Sequence, residues 1–255
     1  MGRYEANNCA EVNGVRLHYA VAGEGRPLLL VHGNGESHEL FDTQIGQLAG
    51  AGFRVYAPDS RGHGANEPLA EYHYADMAED LFCFIRALGL EKPCFYGHSD
   101  GGILGLLLES THPGTLGMLA VSGANLSPEG LDPAFLAEFG ALNERSPDPL
   151  ITLMLTEPHI DPRSLAAIRI PVLVTAGEHD LILPEETRRI AAQLPDVRTV
   201  IVAGADHGSY IHGSPIMGKL LLAFFSGMDW PPEGRPAEHH TESLSSDTGR
   251  EKPLC

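Results

Sequence analysis

Short apolar runs without polar alternation recur along this 255-residue chain, each too brief to be a buried helix. Leu28-Leu29-Leu30-Val31 is the plainest, and a run of that length with no polar face suits a strand covered on both sides. Phe53 to Ala57, Pro93 to Tyr96, Leu116 to Val121, Ile170 to Ala176 and Arg198 to Val202 repeat the theme, with helix-patterned segments between them. Ala75 to Leu88 is the clearest helix, because Met77, Leu81, Phe84, Ile85 and Leu88 fall at three- and four-residue steps and Gly89 follows as a stop. Such alternation is the sequence form of repeated βαβ units and predicts an α/β fold around a mostly parallel sheet. Ahead of it, Cys9 to Val12 and Val15 to Ala22 read as an edge hairpin turned at Asn13-Gly14, a dipeptide that readily takes positive backbone angles.

The rhythm fails from Asn125 to about Ser164, where Pro128, Pro133, Pro147, Pro149, Pro158 and Pro162 break the stretch into short pieces. A cap inserted over a sheet has this form. Its apolar residues Phe135, Leu136, Phe139, Leu142, Ile151, Met154 and Leu155 either line a pocket or pack the cap on the main domain; Phe135, Phe139 and Met154 are assigned to the pocket. Residues 231–255 are mostly proline, charge, serine and threonine and cannot bury enough surface to offset ordering, so a disordered tail is expected after a single domain over 1–230.

Charge narrows the class of partner. A formal net charge of −17 argues against nucleic acid or an anionic membrane, since phosphate binding depends on Lys and Arg. The polar start and the lack of any stretch of membrane-spanning length point to the cytoplasm. Cys9, Cys83, Cys94 and Cys255 show no metal spacing, and Cys83 and Cys94 fall in apolar runs where Cys acts as a small hydrophobe.

Gly97-His98-Ser99-Asp100-Gly101 carries the chemistry. It lies between a strand-like run and the helix-like Gly102 to Leu108, so Ser99 sits where a strand turns abruptly into a helix, a nucleophile elbow. Small residues are needed there because strand and helix approach closely, and Gly97, Gly101 and Gly102 provide them. A serine hydroxyl is a weak nucleophile at neutral pH and needs a base, with a carboxylate to hold that base in the right tautomer. Both should follow later strands, at their carboxyl ends. Asp180 follows the run ending at Ala176, and His207 follows the run ending at Val202, which gives the order Ser99, Asp180, His207. Asp180 has an alternative as a helix cap ahead of Pro184, with Glu178 as the back-up acid; His98, His179 and His212 compete with His207 by proximity in sequence. The oxyanion of acyl transfer needs preorganised N–H donors, expected from the residue after the serine, Asp100, and from Asn34 in the loop His32-Gly33-Asn34-Gly35.

Four segments together resemble the successive hallmarks of the α/β-hydrolase superfamily: His32-Gly33-Asn34-Gly35, Asp59-Ser60-Arg61-Gly62-His63-Gly64, Gly97 to Gly102, and Ile170 to Asp180. The resemblance covers about residues 9 to 228 and implies a mostly parallel eight-stranded sheet with a cap after the sixth strand. It implies Ser99 as nucleophile, His207 as base, Asp180 as orienting acid, and the amides of Asn34 and Asp100 as oxyanion donors; no cofactor and no metal are implied. Ser99 stands where haloalkane dehalogenase and epoxide hydrolase relatives use a carboxylate, and Asn66 replaces the serine that usually ends the Arg-Gly-His-Gly segment. The Ser-Asp-Gly-Gly elbow is similar to that of valacyclovir-hydrolase-like enzymes, which gives the Asp100 side chain an alternative role in receiving a substrate ammonium. The expected activity is cleavage of small-molecule carboxylic esters, or amides, through an acyl-enzyme. Other readings are a proline-iminopeptidase-like aminopeptidase, a carbon-carbon bond hydrolase, a cofactor-free perhydrolase, and a ligand-sensing receptor with slow turnover.

Overall fold

The computed structural model describes residues 4–227, so the expected tail over 231–255 lies outside the described residues. Eight strands form one sheet: β1 (Glu5–Val12), β2 (Val15–Ala22), β3 (Arg26–Val31), β4 (Phe53–Pro58), β5 (Cys94–His98), β6 (Met118–Ser122), β7 (Val172–Gly177) and β8 (Val197–Val202), in the order β1-β2-β4-β3-β5-β6-β7-β8. The β1–β2 and β2–β4 pairings are antiparallel and all others are parallel. Asn13 and Gly14 both take positive φ, 46° and 78°, so the hairpin turns where the Asn-Gly dipeptide favours it.

The unbroken run in β3 is explained by its place. Leu28, Leu29, Leu30 and Val31 are all 0% exposed; Leu29 and Val31 enter one apolar core while Leu28 and Leu30 enter another across the sheet. The first core packs α2 (Tyr74–Ala87) and α3 (Asp100–Thr111) through Met77, Leu81, Phe84 and Leu104. The second packs α1 (Asp42–Gly50) and α7 (Pro215–Phe225) through Ile45, Leu48, Leu221 and Phe224. Among the described residues no helix is long and apolar enough to cross a membrane.

Between β6 and β7 lie α4 (Pro133–Arg145) and α5 (Pro149–Thr156), and past β7 lies α6 (Pro184–Ala191). Reading every proline in this stretch as a break is corrected here, since α4 runs unbroken for 13 residues. Its proline sits in the first turn, where the missing N–H is not needed, and the carboxylate of Asp132 caps the amides of Ala134 and Phe135. Asp148 and Pro149 start α5 in the same way.

Asn66 has a definite use. Its Nδ2 donates to the carbonyls of Asp59 and Ser60 while its Oδ1 accepts from the His18 amide, fastening the loop after β4 to β2.

Candidate active site

Ser99 follows β5 and caps α3 with φ 53° and ψ −116°, a backbone conformation that a residue with a side chain rarely adopts. The turn is held from both sides. The Ser99 amide donates to the Ser122 carbonyl on β6, and its own carbonyl accepts from the amides of Gly102 and Ile103, which begin the helix. A Cβ on Gly97 would fall 2.0 Å from the Gly101 carbonyl oxygen, and one on Gly101 would fall 2.0 Å from the Val31 carbonyl oxygen. Strand, helix and neighbouring strand are therefore in backbone contact at the elbow.

Asp180 and His207 arrive from the loops after β7 and β8. His207 Nδ1 donates to Asp180 Oδ1 at 2.6 Å, and Asp180 also accepts from the amides of Gly177 and Ile182. Burial pushes the Asp180 carboxyl up, but the hydrogen bond and charge of His207, with those two amides, outweigh it and hold the group below its usual value. The carboxylate is thus ionised and fixes the orientation of the imidazole through Nδ1. Asp180 does not cap α6, whose N-cap is Leu183.

Of the competing histidines, His98 is buried beneath the site, its ring centroid 4.7 Å from that of His207. Burial, then the neighbouring His207 and His212, press its pKa well below the ordinary imidazole value. Glu178 turns to the Gly204 amide and so braces the β8 end of the site.

Ser99 and His207 face a common cavity of about 240 Å³, whose wall also includes Asn34, Asp100, Phe135, Phe139, Ile151 and Met154. Leu136, Leu142 and Leu155 are not on that wall. Helical rotation separates them: Phe135 and Phe139 are one turn apart on a single face with their rings stacked at 4.2 Å, whereas Leu136 is turned away and Leu142, near the end of α4, is 38% exposed.

Asn34 and Asp100 are joined by their side chains. Asp100 is 3% exposed; its Oδ2 accepts from Asn34 Nδ2 at 3.0 Å and its Oδ1 from the Tyr74 hydroxyl at 2.7 Å. Burial raises the Asp100 carboxyl, and those two hydrogen bonds only partly offset it. The Asp100 amide opens α3, where N–H groups have no acceptor within the helix. Next to Asn34, the Gly33 amide donates to Glu36 Oε2 at 2.9 Å.

Several participants were not visible in the sequence. Tyr74 holds Asp100, and Glu157 lines the cavity while accepting from the Tyr74 amide and pairing with His73. Gly123, just past β6, leaves the space for the His207 ring, since a Cβ there would lie 2.5 Å from His207 Cε1. Its place at a strand end beside β5 is the only signal it gave.

Comparison with known proteins identifies the family. A family model described as alpha/beta hydrolase fold matches residues 26–144. The candidate carbamate hydrolase RutD of Caulobacter sp. (strain K31) is 30% identical over 255 aligned positions, covering 83% of this chain and 94% of that protein. The chain belongs to the alpha/beta hydrolase superfamily. At that level it is a hydrolytic enzyme. Bifunctional epoxide hydrolase 2 of Sus scrofa is 42% identical, but over 94 residues only, 36% of this chain; the chain spans 17% of that longer protein. A crystal structure of CarC, a serine hydrolase involved in carbazole degradation, superposes with a TM-score of 0.73 at 24% identity, covering 88% of this chain and 99% of that one, a likeness of fold.

Proposed function

We propose that this hydrolase cleaves small carboxylic esters through an acyl-enzyme on Ser99, with His207 as base, Asp180 as orienting acid and the amides of Asn34 and Asp100 as oxyanion donors. The observation that carries this reading is the 2.6 Å His207–Asp180 hydrogen bond beside a strained elbow serine that opens into the same cavity as the imidazole. His207 accepts the Ser99 proton as the hydroxyl attacks the carbonyl carbon, and the oxyanion develops against the two amides. The proton then passes to the leaving alkoxide, an alcohol departs, and His207 activates water to release the acid.

Asp100 acts chiefly as a clamp, since its carboxylate holds Asn34 and through it the second oxyanion donor. A serine at the elbow is not the carboxylate of the epoxide hydrolase branch, so the short likeness to that enzyme does not bring epoxide opening to this chain.

The cavity wall describes the substrate. It carries Glu36, Asp100 and Glu157 and no Lys or Arg, so carboxylate-bearing esters are disfavoured against neutral or ammonium-bearing ones. About 240 Å³ is small for a ligand site, which restricts the acyl group to a short chain. Carbamates and amides are the second reading, supported by the similarity to RutD.

The test is labelling by a fluorophosphonate probe in the wild type and in Ser99→Ala, followed by turnover of p-nitrophenyl esters of graded length, succinate half-esters and α-amino esters. Labelling lost in Ser99→Ala, with short neutral or amino esters preferred, is expected. Labelling that persists in that variant overturns the nucleophile assignment.

A further inference from the structure

Glu36, His98 and His212 come from three distant parts of the chain and meet beside the cavity, each offering a ligating atom within 4.8 Å of the other two. Their chemistry is that of a metal site, two imidazoles and one carboxylate. Glu36 Oε1 already lies 3.0 Å from His212 Nε2.

The ligands are also held from behind, as metal ligands are. Glu36 Oε2 accepts from the Gly33 amide, which leaves Oε1 to turn outward. His98 Nδ1 is engaged with Ser122 Oγ at 3.1 Å, which leaves Nε2 as its ligating nitrogen. Two glycines make the space: a Cβ on Gly33 would lie 2.8 Å from Glu36 Oε2, and one on Gly208 would lie 2.8 Å from His212 Cδ2. His212 is the exposed member, its side chain 56% accessible, and gives an ion a way in from solvent. Ligand atoms around a tetrahedral zinc stand about 3.3 Å apart, which an exposed side chain reaches by rotation.

We propose that Glu36, His98 and His212 form an inhibitory site for a divalent first-row transition ion, with zinc as its best-suited occupant. Zinc sits between Glu36 Oε1 and His212 Nε2, which already face each other at 3.0 Å. Bound to His98, whose ring neighbours His207, it sets a dication beside the imidazole that must accept the Ser99 proton and so opposes that transfer. The ion is a reversible brake rather than a cofactor. Binding depends only on the three ligands, whereas inhibition rests on the Ser99–His207 reading.

The experiment titrates the metal-stripped full chain with zinc chloride in a calorimeter and follows p-nitrophenyl acetate hydrolysis in parallel. One ion should bind per site in the wild type, and His212→Ala should weaken it by at least about tenfold, the lower end for disturbing a ligand's support alone. The double variant His73→Ala/His112→Ala, which removes the other exposed His–carboxylate pairs, should bind zinc like the wild type. Zinc should slow hydrolysis in the wild type and much less in His212→Ala, with recovery on adding EDTA. Equal calorimetric binding in the wild type and His212→Ala, or none in either, overturns the site. Binding lost in His212→Ala with zinc inhibition unchanged overturns the brake. A chain that binds zinc as expected yet hydrolyses no ester sinks the esterase reading and leaves the metal site standing.

Discussion

The two walls of the cavity are built on opposite terms. On the sheet side, Ser99 is fixed by backbone hydrogen bonds to β6 and α3, and Asp180 by two amides and an imidazole. On the cap side, α4 has no buried residue and α5 buries only Leu153, although both supply side chains to the wall. α3, by contrast, buries residues from Asp100 through Glu109 on almost every side. Under the proposed assignment, reacting groups that need sub-ångström placement sit where the backbone dictates it, and groups that only measure the substrate sit on elements that can be exchanged.

The sharpest way to break this contrast is at the proposed nucleophile. Ser99→Ala should lower kcat/KM by on the order of 10⁴-fold or more while the melting temperature changes little, read by steady-state kinetics beside thermal denaturation. Asp180→Asn should approach a loss of about 10⁴-fold in kcat, because the wrong imidazole tautomer is then favoured. Gly101→Ala attacks the same wall through its backbone: with a Cβ 2.0 Å from the Val31 carbonyl oxygen, a destabilisation of about 4 kcal/mol or more in urea titration is expected. The cap should respond differently. Phe139→Ala should shift KM and chain-length preference by a few-fold and cost roughly 1 kcal/mol or less, since its ring is half-exposed and stacks only on Phe135. A loss of folding there comparable to that of Gly101→Ala would erase the distinction.

The smallest effect concerns pH. Asp59 accepts from both the Nδ1 and the amide of His38. That hydrogen bond, against an opposing desolvation, raises the folded-state pKa of His38 above 6.5. Its stabilisation is complete below 6.5 and is lost as pH rises through the elevated value. Asp59 is pushed up by burial but held below its ordinary 3.8 by His38, so its share is present above 3.8 and fades as pH falls through the depressed value. His38→Gln should therefore flatten the alkaline decline of the melting temperature by about 2 °C between pH 6 and 9.

Legibility followed the physics of each region. Central strands such as β3 are legible because both faces are buried, and the meeting of Asp180 with His207 because each follows a parallel strand at its carboxyl end. The cap helices were obscured by prolines that begin helices as readily as they break them. Which cap side chains reach the cavity depends on helix rotation: Phe135, Phe139 and Met154 lie on its wall as the sequence suggests, Ile151 joins them, and Leu136 does not. Tyr74 gives no signal, and His212 stands out only by its closeness to His207 in sequence, because sheet order rather than sequence spacing sets Tyr74 against Asp100 and His212 against Glu36.

The backbone angles at Ser99 carry a cost in durability. A glycine adopts φ 53° and ψ −116° without penalty, so Ser99→Gly should yield a chain more heat-resistant than its parent by about 1 kcal/mol, and inert. Selection for thermal persistence alone would therefore discard the hydroxyl first.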